Sequence, residues 1–178
     1  MATTKLKGNE VKLAGNEVNV GDIAPVVKVT DRDLGEIQIG GQQGKAQIVV
    51  VVPSLDTDVC AAETRRFNEE AAKIENAEVV VVSMDLPFAM KRFCTTEGIE
   101  NLKTASDYKN RDFAEAYGVL IAEGPLAGLT CRAVFIIDAN GVVTYKQIVP
   151  EITEEPDYEE VLNAAKAATS TSCCGTCQ

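Results

Sequence analysis

Residues 47–60, QIVVVVPSLDTDVC, pass from a run of branched aliphatic side chains through a proline into a polar stretch that ends on a cysteine. Residues 48–52 carry no polar side chain, so neither face of this segment is suited to water. It reads as a buried central strand, covered on both sides as strands in α/β sheets are. Pro53 removes a backbone donor and ends the ladder. Beyond it, Thr57 has an N-cap side chain, and a helix is expected from about Val59, with Phe67, Ala71 and Ile74 on one face and Glu69, Glu70 and Lys73 in water. Cys60 then falls in the first turn of a helix that begins at the carboxyl end of a strand.

Outward from this unit, strand and helix continue to alternate. Residues 78–83 read as a second buried strand. Leu86-Pro87-Phe88 opens another helix with proline in its first turn; Leu86, Ala89, Met90, Phe93 and Cys94 form its apolar stripe, and Gly98 is its C-cap. A short strand near 103–106 and a short helix near 111–117 lead to a glycine-containing loop at 123–128. Residues 131–137 and 141–147 read as a hairpin turned by Asn140-Gly141, and a last helix is expected over 157–168. Before the central unit, two hairpins are expected: 10–13 with 18–20 around Ala14-Gly15-Asn16, and 26–29 with 36–39 around Asp33-Leu34-Gly35. This is the order of an α/β thioredoxin-like fold with N-terminal β-hairpin additions. One domain is expected over 1–168. Residues 169–178, TSTSCCGTCQ, hold no large apolar side chain and are expected to form a mobile tail.

The composition excludes whole classes of function. The 178 residues are 46% hydrophobic and 25% charged, enough for a sizeable core. With 17 basic and 27 acidic residues, the net charge of −10 opposes nucleic acid and anionic membrane surfaces as partners. The aliphatic runs fall far short of the roughly 20 residues that span a bilayer, and MATTKLKGNE lacks the apolar core of a secretory signal, so a cytoplasmic setting is expected. There is no histidine. Ser/His and Cys/His nucleophile pairs, His-ligated metals and histidine bases are therefore excluded, which leaves thiols, carboxylates, Lys, Arg and hydroxyls to carry any chemistry. The six cysteines, at 60, 94, 131, 173, 174 and 177, are too sparse for a disulfide-stapled mini-domain. In a reducing compartment such cysteines are redox-active or inert core residues.

Cys60 is the candidate nucleophile. Unsatisfied N–H groups and the positive end of the helix dipole favour a thiolate there, more so with an arginine nearby. The plain alternative is a small buried side chain in a first turn. Thr57 can cap the helix, and its hydroxyl can also reach the sulfur or an oxygen bound to it. Asp58 opposes the thiolate unless it points into solvent.

The segments PSLDTDVC (53–60), RRFNEEA (65–71), DLPFAMKRFCTTEGIENL (85–102), YGVLIAEGPLAGLTCRAVFIID (117–138) and EITEEPDY (151–158) together resemble the thiol peroxidase branch of the peroxiredoxins over residues 1–168. Pro53, Thr57 and Cys60 fit the family's Pro-x3-Thr-x2-Cys signature. The resemblance implies a thiol-dependent peroxidase acting on hydrogen peroxide and organic hydroperoxides without metal or cofactor. Cys60 would be the peroxidatic cysteine that becomes a sulfenic acid. Pro53 would shield the sulfur, Thr57 would hydrogen-bond it and the peroxide, and Arg132 would supply positive charge to both. Cys94 would resolve the sulfenic acid as an intramolecular disulfide, reduced again by thioredoxin or a similar dithiol protein, in a homodimer. Without the resemblance, Arg132 reads as a surface ion pair with Asp or Glu, and Cys94 fits core packing equally well. A disulfide needs Cα atoms within about 7 Å, so two thiols on separate helices would require local unwinding.

Some features fall outside the family pattern. Cys131 directly precedes Arg132, and strand alternation turns it to the opposite face, as passive core. Cys173, Cys174 and Cys177 contain a Cys-x-x-Cys unit that reads as a redox relay, a weak soft-metal site or an extension without a task. The alternative function is a general thiol-disulfide oxidoreductase or a redox-regulated binding protein on the same fold. Thr57, where that class carries a second cysteine, counts against it.

Overall fold

The computed structural model describes residues 2–170. In chain order the elements are β1 (Thr3–Leu6), β2 (Asn9–Ala14), β3 (Val27–Asp31), β4 (Glu36–Ile39), β5 (Ala46–Val51), α1 (Asp58–Ala71), β6 (Ala77–Ser83), α2 (Pro87–Glu97), β7 (Lys103–Ser106), α3 (Asp112–Ala116), β8 (Leu120–Ile121), β9 (Ala133–Ile137), β10 (Val143–Ile148) and α4 (Tyr158–Ser170).

The sheet grows around the aliphatic run: every residue of β5 is buried. It lies third from the β10 edge in the order β4-β3-β7-β6-β5-β9-β10. β5, β6 and β7 are parallel, whereas β9 is antiparallel to β5 and β3 is antiparallel to β7. Alternation along these strands divides the core into two layers. Ile48, Val50, Val79, Val81, Val134 and Ile136 face the layer that packs Phe67 of α1, Met90, Phe93 and Cys94 of α2, and Val161 and Ala165 of α4. Val49, Val51, Val80, Val82, Phe135 and Ile137 face the other layer, with Phe113 of α3 and the N-terminal strands. This is the thioredoxin-like arrangement expected, with N-terminal β additions.

One of the two expected hairpins is wrong. Residues 10–13 pair not with 18–20 but with β1, around Lys7 and Gly8, both at positive φ (51° and 83°). Two successive left-handed residues are what a two-residue turn needs to match strand twist, and Lys7-Gly8 carries only half of that signature. Asn16 instead donates to the Glu115 carbonyl, 2.7 Å, and Asn19 donates to the Asp22 carboxylate, 2.8 Å, which takes 16–22 away from β2. The free edge of β2 pairs with the two-residue β8, so β1, β2 and β8 form a second, small sheet. The β3–β4 hairpin forms as expected, one residue in from its proposed start.

The helices near the site obey their local signals. Thr57 caps α1 with extended backbone angles, and its side chain accepts from the Cys60 N–H. Pro87 occupies the first turn of α2, whose N-cap Leu86 has no side-chain acceptor and makes no capping hydrogen bond; Gly98 ends α2 at φ 67°, a conformation glycine adopts without strain.

Candidate active site

The chain leaves β5 through buried Pro53 and reaches α1 through the irregular segment 54–56. Thr57 Oγ1 accepts from Cys60 N at 3.2 Å and donates to the Ser54 carbonyl at 3.3 Å. Cys60 is fully buried. Asp58 is exposed at the first turn, so its carboxylate faces solvent rather than the sulfur. No hydrogen bond from Thr57 to the sulfur occurs among the described residues, because that hydroxyl is occupied by backbone.

The partner of the sulfur comes from the far side of the sheet sequence. Arg132, immediately before β9, is only 2% exposed, and its Nη1 lies 3.2 Å from Cys60 Sγ. The same nitrogen donates to Glu63 Oε2 at 2.6 Å, and Nε donates to the Ile152 carbonyl at 2.9 Å. The guanidinium is thus fixed from two further sides and shared between a thiol and a carboxylate. Burial alone lowers the arginine's proton affinity, but the neighbouring Cys60 and Glu63 reverse this and leave it above its ordinary value. The sequence-level alternative of a surface ion pair is therefore half right: the pair exists, but both members are buried.

Glu63 was not among the residues singled out from sequence. It has no solvent exposure, and its Oε1 has no partner among the described residues. Burial pushes its carboxyl up to about 7, against the opposing pull of Arg132. A signal was present in the sequence: Cys60, Glu63, Thr64 and Phe67 follow i, i+3, i+4, i+7 spacing and form the buried stripe of α1. A carboxylate on such a stripe needs a buried cation.

Cys94 is 2% exposed on α2, with Sγ 3.7 Å from Thr104 Oγ1, in the same core layer as Cys60. Cys131 is equally buried but belongs to the opposite layer, as alternation with Arg132 requires. Burial pushes its thiol up to about 12, away from the reactive form. Cys173, Cys174 and Cys177, and the tail expected over 169–178 apart from its first two residues, lie outside the described residues. Among the described residues, no group of three or more Cys, Asp or Glu side chains is arranged to hold a metal ion, and no helix is long and apolar enough to cross a membrane.

The Redoxin family model matches residues 19–162. A thiol peroxidase of Aquifex aeolicus is 56% identical, over 92% of this chain and 96% of its own length. The chain belongs to the thiol peroxidase family. A second member, from Campylobacter jejuni, is also 56% identical, over 99% of this chain and 98% of its own. The crystal structure of a peroxiredoxin-like protein from Aquifex aeolicus superposes with a TM-score of 0.91 at 54% identity, covering 94% of this chain and 98% of that one. Membership makes this a peroxiredoxin-type enzyme, a thiol-dependent peroxidase.

Proposed function

We propose that this thiol peroxidase reduces hydrogen peroxide and small organic hydroperoxides through Cys60, and that Cys94 resolves the product. One observation carries the reading: the buried Cys60 sulfur, at a helix N-terminus, lies 3.2 Å from the buried Arg132 guanidinium. A cation held in a dry site stabilises the thiolate before reaction and the negative charge on the leaving oxygen during it, without a histidine.

In the first step the thiolate sulfur attacks one peroxide oxygen. An S–O bond forms as the O–O bond breaks; sulfur loses two electrons, and the departing oxygen takes a proton and leaves as water or alcohol. Arg132 faces both the sulfur and the departing charge, Pro53 limits the approach of water, and the Thr57 hydroxyl, now bound to backbone, is the near group able to turn to the peroxide. In the second step Cys94 sulfur attacks the Cys60 sulfenic sulfur, an S–S bond forms, and the sulfenic oxygen leaves as water. A dithiol protein of the thioredoxin type then returns two electrons and two protons. On family grounds the enzyme acts as a cytoplasmic homodimer. Both thiols are buried on folded helices, so the second step requires local opening of α1, α2 or both, exposing Met90 or Phe93.

The test is peroxide consumption coupled to thioredoxin and its reductase. Cys60→Ser should abolish turnover, and Cys94→Ser should stop after one equivalent, with a sulfenic acid trapped on Cys60 by a dimedone probe. Turnover that survives Cys60→Ser overturns the reading.

A further inference from the structure

Asp85 lies two residues beyond Ser83, the last residue of β6, and directly before Leu86, the N-cap of α2. Its carboxylate accepts three hydrogen bonds of 2.7 Å each: from Ser54 Oγ on Oδ1, and from Leu55 N and Ser83 Oγ on Oδ2. Its backbone is fixed as well, since its N–H donates to Ser83 Oγ at 3.2 Å and its carbonyl accepts from Ser106 Oγ at 2.5 Å. Asp85 is thus held on the end of β6 through both carboxylate and backbone N–H and on the end of β7 through its backbone carbonyl, and its carboxylate reaches across to the irregular segment between β5 and α1.

From Ser54 the bonding continues to the site. Ser54 Oγ accepts from Asp56 N at 3.2 Å, and the Ser54 carbonyl accepts from both Thr57 N and Thr57 Oγ1 at 3.3 Å. Thr57 Oγ1 in turn accepts from Cys60 N. An unbroken series of hydrogen bonds therefore links Asp85 to the backbone of the peroxidatic candidate. At their other ends the two thiol-bearing helices are joined separately: Asn68 of α1 accepts from Glu100 N at 3.2 Å and Asn101 N at 2.8 Å, and Arg65 pairs with Glu97 at 3.0 Å. Only the Asp85 joint contains the loop that carries Pro53 and Thr57.

We infer that Asp85 is a positioning residue for the peroxide step: it sets the 53–57 loop, and with it Pro53 and Thr57, around the Cys60 sulfur before peroxide arrives. The inference rests on the proposed role of Cys60. A loop without regular ladder bonds keeps its place through side-chain anchors, and an anchor seated on strand ends is the rigid kind. Attack on an O–O bond is sensitive to alignment, and a displacement of about 1 Å can lower such a rate on the order of 100-fold. A carboxylate suits the joint because three donors converge on two oxygens, whereas an amide has a single acceptor oxygen and would turn N–H groups toward other donors.

The test compares Asp85→Ala, Ser54→Ala, the double variant and Asn68→Ala in the full chain. Two second-order rates are read by quenched flow and mass spectrometry: oxidation of Cys60 by hydrogen peroxide, and its alkylation by iodoacetamide. Asp85→Ala should slow oxidation about 10- to 100-fold without slowing alkylation. Ser54→Ala should slow it less, and the double variant should be no slower than Asp85→Ala, because both act through one joint. Asn68→Ala, which breaks the joint at the other end, should leave oxidation within about twofold. The inference is overturned if Asp85→Ala oxidises within about twofold of the parent, if oxidation and alkylation fall by the same factor, or if the two substitutions multiply. If Asp85→Ala does not fold, Ser54→Ala decides alone by the same ratio of rates. Cys60→Ser separates the two levels: peroxide-oxidised thiol that persists in that variant sinks the reading of Cys60 itself, whereas its loss there, with an unaltered Asp85→Ala rate, sinks only the inference.

Discussion

Cys60 and Cys131 are both fully buried, and both lie against the same central sheet. One sits at a helix N-terminus 3.2 Å from a guanidinium; the other is surrounded by aliphatic and aromatic side chains, and burial pushes its thiol up to about 12. If Cys60 is the reactive thiol, as proposed, burial does not by itself decide reactivity. What decides it is the charge and the dipoles that share the burial. Arg132 makes the contrast local, since it directly follows Cys131 and alternation sends the two side chains to opposite layers.

The largest expected effect is removal of the cation. Arg132→Met should lower the second-order rate of Cys60 oxidation by about 10²- to 10³-fold, the usual cost of losing one preorganised donor to developing charge. This substitution also leaves Glu63 buried without its partner, so Arg132→Met with Glu63→Gln is the cleaner form. An unaltered rate in either would remove Arg132 from the chemistry.

Next comes Glu63. Its carboxyl binds a proton up to about 7 in the folded protein against an ordinary value of 4.5. Between those values the folded state holds one more proton than the unfolded state, so stability falls as pH rises through that window and levels off above it. Glu63→Gln should flatten that part of the stability–pH curve in denaturant titrations at pH 4.5 and pH 7.5. A curve as steep as the parent's would show that Glu63 is not the titrating group.

The smallest effect belongs to the second thiol. Cys131→Ala should leave the oxidation rate within about twofold of the parent while costing about 1 kcal/mol of stability through lost packing. A larger loss of rate would break the contrast between the layers.

What was legible in the sequence follows the range of the forces involved. The run at 48–52, the Asn140-Gly141 turn and the capping residues of α1 and α2 act over a few neighbours, and each appears in the structure. Lys7-Gly8 has a weak turn signature, and β8 is only two residues long, so the small sheet was invisible. Pro53, Thr57 and Cys60 could be grouped because they lie within one strand-to-helix junction. Arg132 lies 72 residues from Cys60 and entered only through family resemblance. Glu63 escaped because a helical carboxylate usually faces water, and recognising it required weighing its place on the buried stripe. Asp85 meets Ser54 across two strands, and no local pattern announces that contact.

The most direct measurement gives the reduced protein one equivalent of hydrogen peroxide without oxygen, then maps every thiol by differential alkylation and mass spectrometry. The account predicts a Cys60–Cys94 disulfide with Cys131 still alkylated as a free thiol. Oxidation that spares Cys60, or that consumes Cys131 as readily, would contradict it.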